Sequence, residues 1–190
     1  TKPAGVEESY SMPEALSSGF TMMTDNSRSG EVGVIVNSSV AQEISLIAQV
    51  RGQIYYTTIV NAVKGYNKII FGTENFPTGV AQITLFDSDG IARAERLSFL
   101  NKDRHMNISL TTDKEKYQPR DKVKLTVSAK DDKGMPVPAI LSLAVVNDQL
   151  LSFANDKSGN IMSQLLLEQD LNAKVDEPAF YFDNKEPKAD

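Results

Sequence analysis

The chain has no cysteine, no tryptophan and one histidine among its 190 residues. The absence of cysteine excludes disulfides, thiolate metal sites and cysteine nucleophiles. One histidine excludes a multi-histidine metal site within this chain. A Ser-His-Asp triad would have to use His105, which lies in a polar stretch and which we interpret as a solvated linker residue.

Long apolar runs are also missing: none approaches the roughly 18 residues that a membrane helix needs. No signal-peptide pattern is present. From the lack of a long apolar run we expect no membrane-spanning segment in this piece. Separately, the way the chain begins, with Thr1-Lys2-Pro3, and its polar end predict a segment of a longer protein.

The formal net charge of -5 and the pI near 5.0 argue against a nucleic-acid partner, which would require a basic face. A hydrophobic content of 41% is typical of a folded, globular chain. At this length the chain can hold two small domains.

Short apolar-alternating segments dominate the first half of the sequence. Their period of two predicts strands with one buried and one wet side. The segments are residues 32–36, 44–50, 53–60, 68–71, 80–86 and 91–100. Turn signals separate them, which favours an all-β fold made of tandem immunoglobulin- or fibronectin-like β-sandwiches.

The second half predicts fewer strands, at residues 107–112, 122–130 and 139–151, with a turn at 131–134. Asn160 is a candidate N-cap for a short helix near residues 160–171, with Ile161, Leu165 and Leu166 on one side. Three strands are about the minimum for an independent sheet, so this sandwich is expected to be incomplete.

These patterns predict five regions. Residues 1–17 form a lead-in, 18–101 the first β-sandwich, 102–106 a linker, 107–183 the second and incomplete β-sandwich with its helical insertion, and 184–190 a disordered tail.

Three motifs in the second half carry a resemblance to a known family: Tyr117-x-Pro119-x-Asp121-x-Val123, Asp132-x-Gly134-x-Pro136-Val137, and the strand-like residues 142–148. They resemble the macroglobulin domains of the α2-macroglobulin superfamily, which implies seven-stranded sandwiches. Arg120 stands where that family usually has glycine, which disfavours a left-handed backbone there. The family's thioester motif needs a cysteine, so covalent trapping cannot reside in this chain.

Residues 76–86, 94–99, 161–171 and 178–182 are similar to segments of large cell-envelope proteins of Bacteroides-type bacteria. Those proteins string macroglobulin-like domains ahead of carboxypeptidase-regulatory-like and TonB plug-like domains. The resemblance implies an extracytoplasmic location, in the periplasm or at the outer membrane. The implied partners are neighbouring domains of the same longer chain, another envelope protein or a protease.

Residues 87–90 (Asp-Ser-Asp-Gly) look like half of a calcium loop. Counted from Asp87, positions six and twelve of an EF-hand loop would be Ala92 and Ser98 instead of glycine and glutamate, so we predict a hairpin turn. We predict no metal, no cofactor and no catalytic residue.

Two aromatic clusters are candidates for an interaction surface, because exposed aromatic rings favour binding. The first is Tyr55 with Tyr56, and the second is Phe180, Tyr181 and Phe182. The alternative is that one tyrosine belongs to the core and that the second cluster packs onto a sheet.

The sequence therefore predicts a non-catalytic structural or interaction segment that spaces or docks neighbouring domains. Two alternatives stay open: a protease-inhibitor segment in which residues 153–190 form an exposed bait, and a carbohydrate- or ligand-binding module in TonB-linked nutrient uptake.

Overall fold

The computed structural model describes residues 14, 16–146, 159–171 and 173–183. Within them the chain forms nine strands: β1 Phe20–Asp25, β2 Glu31–Ser38, β3 Gln42–Val50, β4 Gln53–Ala62, β5 Gly65–Gly72, β6 Gly79–Phe86, β7 Ala92–Leu100, β8 Asn107–Thr112 and β9 Leu125–Lys130. All strand pairs are antiparallel. The all-β prediction is confirmed.

The first seven strands form a β-sandwich. One sheet has the order β1-β2-β5, and the other has the order β4-β3-β6-β7. The alternating apolar residues of each strand face inward and are fully buried, as at Val32, Val34 and Val36 on β2 and at Ile44, Leu46 and Ala48 on β3. Burial of these alternating side chains is what holds the two sheets together.

The turns of the sandwich use the chemistry that the sequence indicates. Arg51 and Gly52 both have positive φ angles, 49° and 80°, which matches the right-handed twist of the β3–β4 hairpin. Asp87 organises the β6–β7 turn, because its Oδ1 accepts hydrogen bonds from the backbone of Asp89 at 3.0 Å and of Ile91 at 2.9 Å.

The chain after β7 is anchored to the base of the sandwich. Asn101 has a φ of 54° and donates from Nδ2 to the carbonyls of Thr73 and Phe76, at 3.0 and 2.8 Å. Thr78 Oγ1 donates to the carbonyls of Asn101 and Arg104. The polar residues at the junction are therefore held to the sandwich, and His105 is half-buried where the sequence predicts a solvated side chain.

Strands β8 and β9 form a separate two-stranded sheet. The strand predicted at 122–130 begins only at Leu125. The preceding turn is closed by the Asp121 amide on the Gln118 carbonyl at 3.0 Å, and Arg120 adopts a φ of 73° in it. The expectation against a left-handed residue there is wrong: with Pro119 at the second position and Arg120 at a positive φ, the turn is of type II.

The strand predicted at 139–151 is also wrong for its described part. Residues 139–146 form no strand, although the preceding hairpin begins normally with a Lys130–Pro136 bridge. Alternation predicts which side chains share a face, but a strand also needs a neighbour for its backbone groups. No described strand pairs with residues 139–146, and residues 147–151 lie outside the described part.

The short helix predicted near 160–171 is present. It consists of α1 Ile161–Ser163 and a π-helical turn, Gln164–Glu168. The Asn160 cap is confirmed, since its side chain accepts from the Ser163 amide at 2.9 Å. Ile161 and Leu165 are exposed and Leu166 is half-buried, so the predicted apolar side is only partly correct.

Candidate functional site

Tyr55 and Tyr56 both pack toward the core, although neighbours on a regular strand point to opposite faces. A β-bulge explains this: Ala48 pairs with Tyr56 and Gln49 pairs with Ile54, so Tyr55 is an extra residue. Tyr56 stacks on Phe71 with ring centroids 4.3 Å apart, and Tyr55 lies 5.2 Å from Phe76. Both tyrosines are half-buried.

Phe180, Tyr181 and Phe182 lie on a 3₁₀ helix, Pro178–Phe182. Phe182 packs edge-on against Phe99 of β7, with ring centroids 5.6 Å apart. Tyr181 is 45% exposed and makes an edge contact with Phe180. In the part of the chain that the structure describes, no ring contact joins this cluster to Tyr55 and Tyr56.

The predictions for residues 153–190 named an exposed tail or packing into the second sandwich. In the structure, residues 159–171 and 173–183, here called the C-terminal segment, contact the first sandwich instead. Phe182 reaches β7, and the π-helical turn reaches β6. The remaining tail residues of that range lie outside the described part.

A polar lock ties the C-terminal segment to the β3–β4 turn. Arg51 Nε lies 3.2 Å from Asp170 Oδ1, and Arg51 Nη2 donates to the Leu165 carbonyl at 3.3 Å. The Asp170 side chain is only 10% exposed, whereas the Arg51 side chain is 44% exposed. This pair joins positions 119 residues apart in the sequence.

The lock closes over Gly79, the first residue of β6. A Cβ atom at this position would lie 2.9 Å from Arg51 Nη2 and 3.4 Å from Asp170 Oδ2, and the φ of Gly79 is 142°. Only glycine fits without displacing the pair. Within the described residues, Asp170 Oδ2 is buried without a hydrogen-bond partner.

A groove of about 1200 Å³ opens beside the docked segment. It lies between the β1–β2 loop, the junction after β7 and the C-terminal segment. Apolar side chains from β7 and the segment line it together with polar side chains from the loop and the junction, including Phe99, Leu171, Tyr181, Asn26, Arg28 and His105. This combination of apolar surface and a few polar groups is usual for ligand sites.

The acidic residues with shifted pKa values form hydrogen bonds within turns and do not line a cleft. The backbone hydrogen bond from Ile91 and the bond from Arg93 lower the pKa of Asp87. The Ser27 hydroxyl and amide lower the pKa of Asp25, and the Tyr117 hydroxyl and the Lys124 amide lower that of Asp113. The Asp87 carboxylate is thus occupied by its own hairpin and by Arg93, which agrees with the hairpin-turn prediction.

The residues of the lock carry no signal in the sequence. In the sequence, Arg51 and Gly79 look like ordinary turn residues, and nothing distinguishes Asp170 from the other acidic residues. A motif search could not have paired them, because their proximity depends on the docking of the segment.

Comparison with protein-family models finds no match, and comparison with curated protein sequences finds none either. Among the described helices, none has the length and apolarity to cross a membrane.

Proposed function

We propose that this chain is a non-catalytic structural and interaction segment that holds neighbouring domains at a fixed spacing in a bacterial cell-envelope protein. The observation that carries the proposal is the docking of the C-terminal segment onto the first sandwich. A segment that follows the second unit in sequence returns to the first and is fixed there by Arg51 and Asp170.

The anchored junction supports the same proposal. Asn101, Thr73 and Thr78 form a hydrogen-bonded cluster at the point where the chain leaves the sandwich. Arg104 adds a bond from Nη1 to the Glu74 carbonyl at 3.0 Å. A free hinge needs few backbone restraints, and this junction has several.

We include in the proposal that the chain is a macroglobulin-like segment with an extracytoplasmic location. The seven-stranded first sandwich is compatible with such a module, and the carboxypeptidase-regulatory-like and TonB plug-like neighbours are what the resemblance implies. The docked segment favours the spacer over a protease bait, because a bait has to remain exposed to proteases and Phe182 and Asp170 are largely withdrawn from solvent.

Distance measurements by electron paramagnetic resonance test the spacer. The chain has no cysteine, so spin labels attach only at the introduced cysteines. Labels at the exposed positions Thr57→Cys and Lys116→Cys measure the distance between the first sandwich and the second unit, which contains β8 and β9. We expect one narrow distance distribution. A broad distribution in the unmodified background would contradict a fixed spacing.

Asn101→Gly sharpens the test, because glycine keeps the positive φ and loses the side-chain hydrogen bonds. It should broaden the distribution. Asp103→Ala, an exposed change in the same junction, is the matched control and should leave it narrow.

The groove favours ligand binding as a second candidate function. A glycan-array screen tests it, and a hit should weaken in Tyr181→Ala, which lines the groove. Tyr66→Ala removes another exposed tyrosine, on β5, and should not affect binding.

A further inference from the structure

Strand β4 forms an open edge of the first sandwich. It is the longest described strand, with 10 residues, and in the part of the chain that the structure describes it pairs with β3 alone. Every second residue of an edge strand points its backbone N–H and C=O groups away from the sheet. Another strand is the natural partner for these groups, because an extended backbone presents the same alternation of donors and acceptors.

The four edge strands of this sandwich differ in charge. The edges β1, β5 and β7 each carry charged residues, which are Asp25, Lys68, Arg93, Glu95 and Arg96. Charged side chains are a usual protection of an edge against pairing with another chain. Strand β4 has no charged residue and is rich in β-branched and aromatic residues, so it lacks this protection and suits a longer sheet.

The regular part of β4 is centred on Ile59. The bulge at Tyr55 leaves residues 56–62 as the stretch of uninterrupted pairing with β3. Ile59 is the middle residue of this stretch and the most exposed large apolar side chain of the strand, at 66%. Its side chain points outward, away from the core between the two sheets, whereas Thr58 and Val60 point inward.

We infer that a second copy of this chain pairs with this edge, β4 antiparallel to β4, about a twofold axis that passes through Ile59. The two four-stranded sheets then form one continuous sheet with the two β4 strands at its centre. The inference does not depend on the proposed function, because it concerns the edge of the sandwich and not the docked C-terminal segment.

Self-pairing in this register gives each residue a compatible neighbour on the second copy. The pairs are Ile59 with Ile59, Thr57 with Asn61, Thr58 with Val60, and Tyr56 with Ala62. Apolar and β-branched pairs stabilise an antiparallel ladder, and no pair brings like charges together. A shift by one residue would place outward side chains opposite inward ones, so the alternation along β4 excludes that register.

The size of the contact predicts a weak dimer. Residues 56–62 of the two copies supply roughly six to eight backbone hydrogen bonds. Strand pairing alone covers less than the ~800 Å² per copy of a standard interface. We therefore expect a dissociation constant on the order of 100 μM.

Sedimentation equilibrium of the full chain tests the inference. Ile59→Lys places two lysines directly opposite each other and should raise the dissociation constant at least about tenfold. Leu97→Lys is the matched control, because it adds the same charge at an exposed position on β7, the other edge of the same sheet, and should change the constant less than about twofold. A parent chain that stays monomeric at about 500 μM, open-ended polymers, or equal effects of the two variants would overturn the inference.

Disulfide trapping covers the case in which Ile59→Lys disturbs the strand. The chain has no cysteine, so oxidation of Ile59→Cys should join two copies, because directly opposite Cβ atoms lie about 5 Å apart. Thr57→Cys lies on the same face but should not react, since the two copies of residue 57 are offset by about 13 Å along the strands. Absence of the disulfide at Ile59→Cys, or equal yields at both positions, contradicts the pairing.

The dimer and the spacer can be tested separately. Pairing would add a distance between the Thr57→Cys spin labels of two copies to the distance distribution. Mixing the labelled chain with an excess of unlabelled chain removes this distance and keeps the one within a single chain. A narrow distribution that needs no such dilution would count against the dimer, whereas a broad one that persists after dilution would count against the fixed spacing alone.

Discussion

Arg51→Ala and Asp170→Ala remove the same ion pair, but we expect them to cost different amounts of free energy. Asp170→Ala leaves a guanidinium that is 44% exposed and that water can solvate. Arg51→Ala leaves a carboxylate that is 10% exposed and has lost its hydrogen bond from Nε. The variants therefore differ in the solvation of the group that remains.

The magnitudes follow from that exposure. Loss of a partner from a well-solvated charge costs about 1 kcal/mol, so we assign this value to Asp170→Ala. An uncompensated charge at a nearly buried site costs about 3–5 kcal/mol, which we reduce to about 2–3 kcal/mol because Arg51 is partly exposed and its pairing is screened. Alanine at the left-handed Arg51 position adds little, because the arginine already bears that cost.

The double variant gives the sharper result. It removes both charges, so its cost should be close to that of Asp170→Ala alone and below that of Arg51→Ala. The expected coupling free energy is therefore about 2–3 kcal/mol in magnitude. A stranded carboxylate is distinguished from a simple loss of contacts because Asp170→Ala should then stabilise the Arg51→Ala background.

Hydrogen exchange over residues 161–171 is the appropriate assay, because the C-terminal segment can detach while the sandwich stays folded. Arg28→Ala breaks the exposed Arg28–Glu31 pair and is the control, with an expected effect below about 0.5 kcal/mol. Equal protection losses in Arg51→Ala and Asp170→Ala, or additivity in the double variant, would refute the reasoning.

Three further predictions concern the same fold. Gly79→Ala should cost about 1–3 kcal/mol of docking free energy, because its φ of 142° and its contact with Arg51 exclude a side chain; unchanged exchange in residues 161–171 would contradict this. Asn160→Ala should lower the helicity of residues 161–168 and cost about 1 kcal/mol through loss of the capping box. Gln164→Ala, an exposed change in the same segment, is the control, and exchange at the Ser163 amide reports the result. The lowered pKa of Asp87 stabilises the folded state above the unfolded pKa of about 4, and this stabilisation is lost as the pH falls through the lower folded pKa. In an acid titration, Asp87→Asn should therefore lose less stability below pH ~4 than the parent chain does.

The sandwich was largely predictable, because alternation along β2, β3 and β6 marks inward side chains directly. The bulge at Tyr55 was not predictable. An inserted strand residue changes the pairing of Ala48 and Gln49 without changing composition or turn signals, and it moves a second tyrosine toward the core. The aromatic interaction surface predicted at Tyr55 and Tyr56 stays a prediction, but their rings are engaged with Phe76 and Phe71.

The second unit shows the complementary problem, since the sequence describes faces better than partners. Residues 139–146 are apolar at every position except Ser142 and suit a strand by composition, yet only β3 has strands on both sides, β4 and β6. A strand's backbone needs a neighbour, and its apolar face needs a cover. Among the described residues no strand pairs with residues 139–146 and no element covers the apolar face of β8 and β9, so the side-chain pattern alone could not predict how this part of the chain is completed.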